Sequence, residues 1–181
     1  MPSQKIKIFA IIGSTRKNSS NYKILKYISE KINSQFEIEI FEEIDQLPHF
    51  NPDLDQETPP KKVTEFRNKI AQADGILICT PEYVFSLPGT LKNALEWCVS
   101  TTVFSGKRTG LITASASGEM AHEQLLLIMK TVEAKFENSE QILIQGIRGK
   151  VNDKGKIVNT STEATLASFI HNFENQFLSE L

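Results

Sequence analysis

Hydroxyls, amides and two cations crowd into Gly13-Ser14-Thr15-Arg16-Lys17-Asn18-Ser19-Ser20-Asn21, directly after the apolar run Ile8-Phe9-Ala10-Ile11-Ile12. Between a strand and a helix, such a stretch suits an anion. The first N–H groups of a helix lack intrahelical partners and carry partial positive charge, which is why phosphates settle there. Arg16 offers a two-pronged contact to phosphate oxygens, and Ser14, Ser19, Ser20 and Asn21 offer further polar groups. Familiar phosphate loops do not fit. A dinucleotide fingerprint needs three glycines and a nucleoside-triphosphate loop needs a second glycine before lysine and a hydroxyl; the stretch has one glycine and no thiol nucleophile. A plainer alternative makes Ser19 or Ser20 a helix N-cap and Arg16 a solvated charge.

A second unusual stretch reads TPEYVFSLPGTLKNALEW, from Thr80 to Trp97. Pro81 and Pro88 stiffen it around Glu82, Tyr83, Val84 and Phe85. A rigid loop with free backbone groups and an aromatic edge suits a planar ligand with a polar rim. The alternatives are core packing or a subunit contact for Tyr83 and Phe85, and a solvated or cation-paired carboxylate for Glu82. A third segment, Thr113-Ala114-Ser115-Ala116-Ser117-Gly118, either closes the same crevice or is an ordinary turn with Ser117 as N-cap.

The elements that would position these loops follow from hydrophobic spacing. Strands are predicted over 5–12, 36–41, 75–79, 108–113 and 141–145, and helices over 19–33, 61–73, 87–98, 119–136 and 162–181. Residues 47–60 hold four prolines and suit no regular element, and 146–160 reads as a mobile connection. Alternating strands and helices predict an α/β fold, a parallel sheet with helices on both faces. Strands one, three and four are apolar throughout, as buried central strands are, whereas Phe36-Glu37-Ile38-Glu39-Ile40-Phe41 alternates and belongs at an edge. The order 2-1-3-4-5 follows, a flavodoxin-like doubly wound sheet that binds ligands beyond the carboxyl ends of strands one and three. The first two loops lie there, which favours a phosphate monoester as the anion.

The chain of 181 residues reads as one domain, 1–181. A formal net charge of -2 makes no case for nucleic acid or an anionic membrane as partner. Cys79 and Cys98 form no C-x-x-C pair and fit a reducing cytoplasm. The apolar run before Gly13 is too short for a signal peptide, and no segment has membrane-spanning length. His49, His122 and His171 are scattered, so no metal site is expected, and His122 reads as a surface residue.

GSTRKNSSN followed by PEYVFSLPGTLKNALEW resembles the NADPH-dependent FMN reductases, a family that includes flavin-dependent quinone, azo-dye and chromate reductases. LPHFNPDL and FRNKIAQADGILICTPEY follow the family's order of features, so the likeness spans about Ile6 to Phe136. The resemblance implies bound FMN, with its phosphate held by Ser14, Arg16, Ser19 and Asn21 and with Ser20 beside them. It places Pro81, Glu82, Tyr83 and Val84 along the isoalloxazine ring, next to Phe85, with Ser115, Ser117 and Gly118 closing the pocket. NADPH or NADH would give hydride to the flavin, which passes it to a small-molecule acceptor such as a quinone, azo compound or flavin. No side chain need act as a catalytic group. A homodimer or homotetramer is implied, with Trp97, Phe104 and the 47–60 loop as interface candidates, Trp97 being equally a core candidate. Two departures stand out. Val84 replaces the family's usual asparagine, and Ala116-Ser117-Gly118-Glu119-Met120-Ala121-His122 replaces its usual run of glycines leading to arginine. The rival readings are an FMN-binding electron carrier and a nucleotide-sensing module on the same fold.

Overall fold

Five apolar runs form strands β1 (Ile6–Ile12), β2 (Phe36–Phe41), β3 (Gly75–Thr80), β4 (Arg108–Ala114) and β5 (Gln141–Ile144). Between and after them run helices α1 (Ser20–Lys31), α2 (Lys61–Gln72), α3 (Gly89–Glu96), α4 (Glu119–Thr131) and α5 (Thr160–Leu178). The computed structural model describes residues 5–178, so the last three residues of the predicted final helix lie outside the described residues.

All strand pairs are parallel, in the order β2-β1-β3-β4-β5. The order matches the expectation from hydrophobic patterning. β2 lies at an edge with Glu37 and Glu39 exposed, while every residue of β3 is buried. Alternate β1 residues feed two cores. Phe9 and Ile11 pack with Phe66, Leu91 and Leu125 from α2, α3 and α4, and Ile8 and Ala10 pack with Ile24, Leu25, Phe169 and Phe173 from α1 and α5. Register brings Ile12 beside Cys79 and Cys79 beside Ile112. The carboxyl ends of β1, β3 and β4 therefore finish together, and the loops that follow them share one edge.

Four expectations change or sharpen. Residues 146–160 are a folded connection, with a short 3₁₀ turn at Ile147–Gly149 and an antiparallel bridge between Val151 and Ile157, both buried. The 47–60 stretch is irregular apart from a 3₁₀ turn at Pro52–Leu54, but it is tied to α3. Asn93 donates to the Pro48 carbonyl at 3.0 Å and accepts from the Phe50 N–H at 2.7 Å, and the Trp97 indole donates to the same carbonyl at 2.7 Å. Phe104, an interface candidate by resemblance, is a core residue at 2% exposure, and Trp97 takes the core alternative at 0%. Pro88 directly precedes α3, where its missing N–H costs nothing, rather than lying inside the first turn.

Candidate active site

The first wall of the site begins with a close approach. At Gly13 the backbone N–H donates to the Cys79 carbonyl at 2.8 Å. A Cβ there would lie 2.4 Å from the Thr80 hydroxyl oxygen, so glycine alone lets the chain leave β1 across the end of β3. Beyond it, the Ser14 hydroxyl accepts from the Arg16 N–H at 3.3 Å and the Ser19 hydroxyl accepts from the Tyr22 N–H at 3.1 Å. Ser19 is therefore the N-cap of α1, as the plainer sequence reading has it. Capping uses an oxygen lone pair and leaves its own O–H free to donate, so the two roles are compatible. Asn21 is buried. Its amide donates to the Ala114 carbonyl at 3.2 Å and accepts from the Cys79 thiol at 3.2 Å, holding α1 to the ends of β4 and β3. The Arg16 side chain is exposed and has no hydrogen bond or ion pair among the described residues.

The opposite wall is built around Glu82. Helix α4 starts at Gly118, whose φ of 94° is left-handed and which has no side chain to cap the helix. Glu82 caps it instead, accepting from the Gly118 N–H at 3.1 Å and the Ala121 N–H at 3.0 Å, one on each carboxylate oxygen. The Ser115 hydroxyl returns a bond to the Glu82 carbonyl at 3.4 Å. Glu82 is thus neither a solvated carboxylate nor a cation's partner; it joins the loop after β3 to the loop after β4. A Cβ at Gly118 would also meet the Leu143 side chain at 2.8 Å.

Residues 83–86 form a tight turn in which Tyr83 and Ser86 exchange backbone hydrogen bonds at 3.0 and 3.1 Å. Its two central residues, Val84 and Phe85, have φ of 51° and 56°. Asn-Gly is the usual occupant of such a turn, because left-handed backbone suits glycine and asparagine and strains a β-branched residue. Both side chains project into solvent, at 95% and 74% exposure. Gln124 of α4 secures the turn from below, donating to the Phe85 carbonyl at 3.3 Å and accepting from the Ser86 hydroxyl at 2.7 Å.

His122 is half-buried rather than a surface residue. Its ring nitrogens lie 3.0 Å from the Thr113 hydroxyl and 3.0 Å from the Gln141 side-chain oxygen, and burial lowers its pKa. Both cysteines are free and buried. Burial pushes the Cys98 thiol up to about 12 and Cys79 higher still, so neither is a thiolate nucleophile.

Between the two walls lies an open cleft of about 370 Å³, within the size range of small-ligand pockets. Ser14, Arg16, Ser19, Ser20 and Asn21 line one end, and Pro81, Glu82, Tyr83 and Ser115 line the other. Val84, Phe85, Ser117 and Gly118, also singled out in the sequence, stand outside this lining. Ala114 and Ala116, from the segment expected to close the crevice, complete it together with Ile147 and Arg148, which were not foreseen. Arg148 comes from the connection after β5, and its only sequence signal was a basic residue between glycines at 146 and 149. An uncapped-by-charge helix start with an unpaired arginine at one end, and an aromatic side chain with small residues and free backbone at the other, fit a phosphate joined to a flat ring system. FMN has that form.

Residues 6–147 match the family model for NADPH-dependent FMN reductase. Among curated proteins, the chain is 30% identical over 177 residues to a quinone reductase of Pseudomonas putida, covering 94% of each chain. It is 30% identical over 174 residues to a 2-hydroxy-1,4-benzoquinone reductase of Burkholderia sp., covering 93% of this chain and 94% of that one. Among solved structures, the FerB flavoenzyme NAD(P)H:(acceptor) oxidoreductase of Paracoccus denitrificans has the same fold, with a TM-score of 0.73, 24% identity and coverage of 92% and 94% of the two chains. The matched span runs from β1 through the far wall of the cleft, and the chain belongs to the NADPH-dependent FMN reductase family.

Proposed function

We propose that the cleft holds FMN with its phosphate at the start of α1 and its ring between Pro81–Tyr83 and Ser115, in an NAD(P)H-dependent oxidoreductase whose acceptor is a quinone. Bound FMN would supply the chemistry that links hydride from the nicotinamide to two-electron reduction of the acceptor. The chain's own residues bind and orient. Arg16 offsets the phosphate's charge, and Ser14 and Ser19 donate their hydroxyl hydrogens to its oxygens. Glu82 holds the two ring-side loops at a constant spacing through α4. The observation that carries this reading is the contrast between the two cleft ends, one cationic with open donors and one whose carboxylate is already taken up by the Gly118 and Ala121 N–H groups. Quinone as acceptor draws its support from the relatives named quinone reductase and 2-hydroxy-1,4-benzoquinone reductase.

A second copy of the chain is the proposed partner. Val84, Phe85 and Leu127 are exposed, at 95%, 74% and 66%, and Gln124 ties the turn that carries the first two to the helix that carries the third. An apolar surface joined across two elements in this way suits a homodimer contact. Leu127→Glu is expected to shift the sedimentation of a dimer to that of a monomer. Buried, protonated thiols favour a reducing compartment such as the cytoplasm. No helix among the described residues is long and apolar enough to cross a membrane.

The direct test is an anaerobic absorbance titration of the FMN-loaded protein with NADPH, then NADH, followed by benzoquinone. Bleaching of bound flavin by nucleotide and its return with quinone are expected. Bound flavin that neither nucleotide bleaches would instead support a carrier or a sensing module.

A further inference from the structure

Next to the cleft, and sharing Arg16, Ser20 and Arg148 with it, lies a second concavity of about 400 Å³. Lys23, one turn into α1, also lines it, and the single acid in its lining is Asp153. The Lys23 ammonium donates to the Asn152 carbonyl at 3.1 Å and keeps two N–H groups for another acceptor. Three cations thus face one carboxylate. Neither Arg16 nor Arg148 has a hydrogen bond or ion pair of its side chain among the described residues. One phosphate monoester does not need three cations spread over two adjoining hollows.

Resting on the reading that the first hollow takes the FMN phosphate at Arg16, we propose that the second is a subsite for a further phosphate, that of an adenylate. Continuity fits this ligand. A group running on from the first phosphate passes Arg16 and Ser20 directly into the second hollow, where Lys23 and Arg148 meet the next phosphate. That adenylate has two chemical sources. It is the other half of FAD bound in place of FMN, or it belongs to the hydride donor while FMN fills the cleft.

The test is calorimetric. FMN and FAD are titrated into the apoprotein, and 2′-phospho-ADP-ribose into the FMN-loaded protein, for the wild type, Lys23→Gln and Arg148→Gln. Lys23→Gln is expected to weaken an adenylate ligand about tenfold, the scale of one lost charge-assisted hydrogen bond, while FMN affinity stays within about twofold. Weakening in the FAD arm assigns the subsite to the flavin, and weakening in the ADP-ribose arm assigns it to the donor. FMN binding with no binding of either adenylate, or adenylate binding that neither substitution weakens, overturns the subsite and leaves the FMN reading standing. Failure of FMN itself to bind overturns that reading and the subsite with it. Arg148→Gln supplies a second readout should Lys23→Gln disturb the 151–157 bridge, which thermal unfolding would reveal.

Discussion

Helix α1 begins at the cleft and α4 begins behind its opposite wall, yet their positive ends are treated in opposite ways. The first turn of α1 contains no acid, and Ser19 caps it with a neutral hydroxyl. The first turn of α4 receives a full carboxylate from Glu82 on two of its N–H groups, with Glu119 beside it. Helix dipoles of the same hand would make both ends attractive to anions. Neutralising one and leaving the other open, with Arg16 over it, gives the cleft a direction. A ligand with a charged end and a flat uncharged end has one way to enter, and the geometry that fixes this lies in side chains rather than in the sheet.

Removing the carboxylate should erase this contrast most strongly. Glu82→Ala leaves two N–H groups at the start of α4 without their acceptor, a loss of about 2 kcal/mol on the scale of hydrogen bonds to charged groups. It also unlinks the loops after β3 and β4, so thermal unfolding and flavin titration are both expected to suffer. Glu82→Gln, which keeps an acceptor without the charge, should recover part of each. At the other helix, Arg16→Ala is expected to weaken FMN about tenfold while leaving riboflavin, which has no phosphate, nearly unchanged. Equal losses for both flavins would mean that the phosphate lies elsewhere. Val84 sharpens the ring-side half of the comparison. Replacing it with asparagine, which tolerates φ near 51°, should raise the stability of the Leu127→Glu monomer by about 1 kcal/mol in denaturant unfolding, since the β-branched side chain makes no buried contact within its own chain to lose.

The smallest effect concerns pH. His122 has a folded-state pKa below its ordinary value because burial disfavours the imidazolium. The unfolded chain therefore takes up the proton first as pH falls. Stability from this residue is present above about pH 6.5, the ordinary histidine value, and declines as pH drops from there through the lowered pKa. His122→Gln should flatten that part of a stability-against-pH curve. An unchanged curve would mean that the ring binds its proton equally well in the folded and unfolded chain.

The sheet was legible because its signals are local. β2 alternates apolar residues with glutamates and so reveals an edge, while the unbroken apolar runs of β1, β3 and β4 reveal the interior. That order placed the expected crevice at loops that line the observed cleft. The use made of each residue within those loops was less legible, because it depends on partners distant in the chain. Asn21 looked like a ligand donor, but its amide also meets Ala114 and Cys79, 93 and 58 residues away. Glu82 showed no sign of its target, although one clue was present. A glycine stands at the helix start where a capping side chain would be usual, so the cap had to come from elsewhere. Val84 reads as an extended residue by type, and only the reciprocal bonds of Tyr83 and Ser86 force it into left-handed backbone. Residues 146–160 looked mobile because glycines and charges dominate them, yet Ile147, Val151 and Ile157 anchor them in the core below α1 and α5.

The buried state of Cys79 and Cys98 has a bearing on chemical durability. Quinones are Michael acceptors that alkylate accessible thiolates, and a protein that turns them over meets them continually at high local concentration. Here both sulfurs are sealed in the interior and held as thiols by burial, so neither cysteine offers such an electrophile an accessible thiolate.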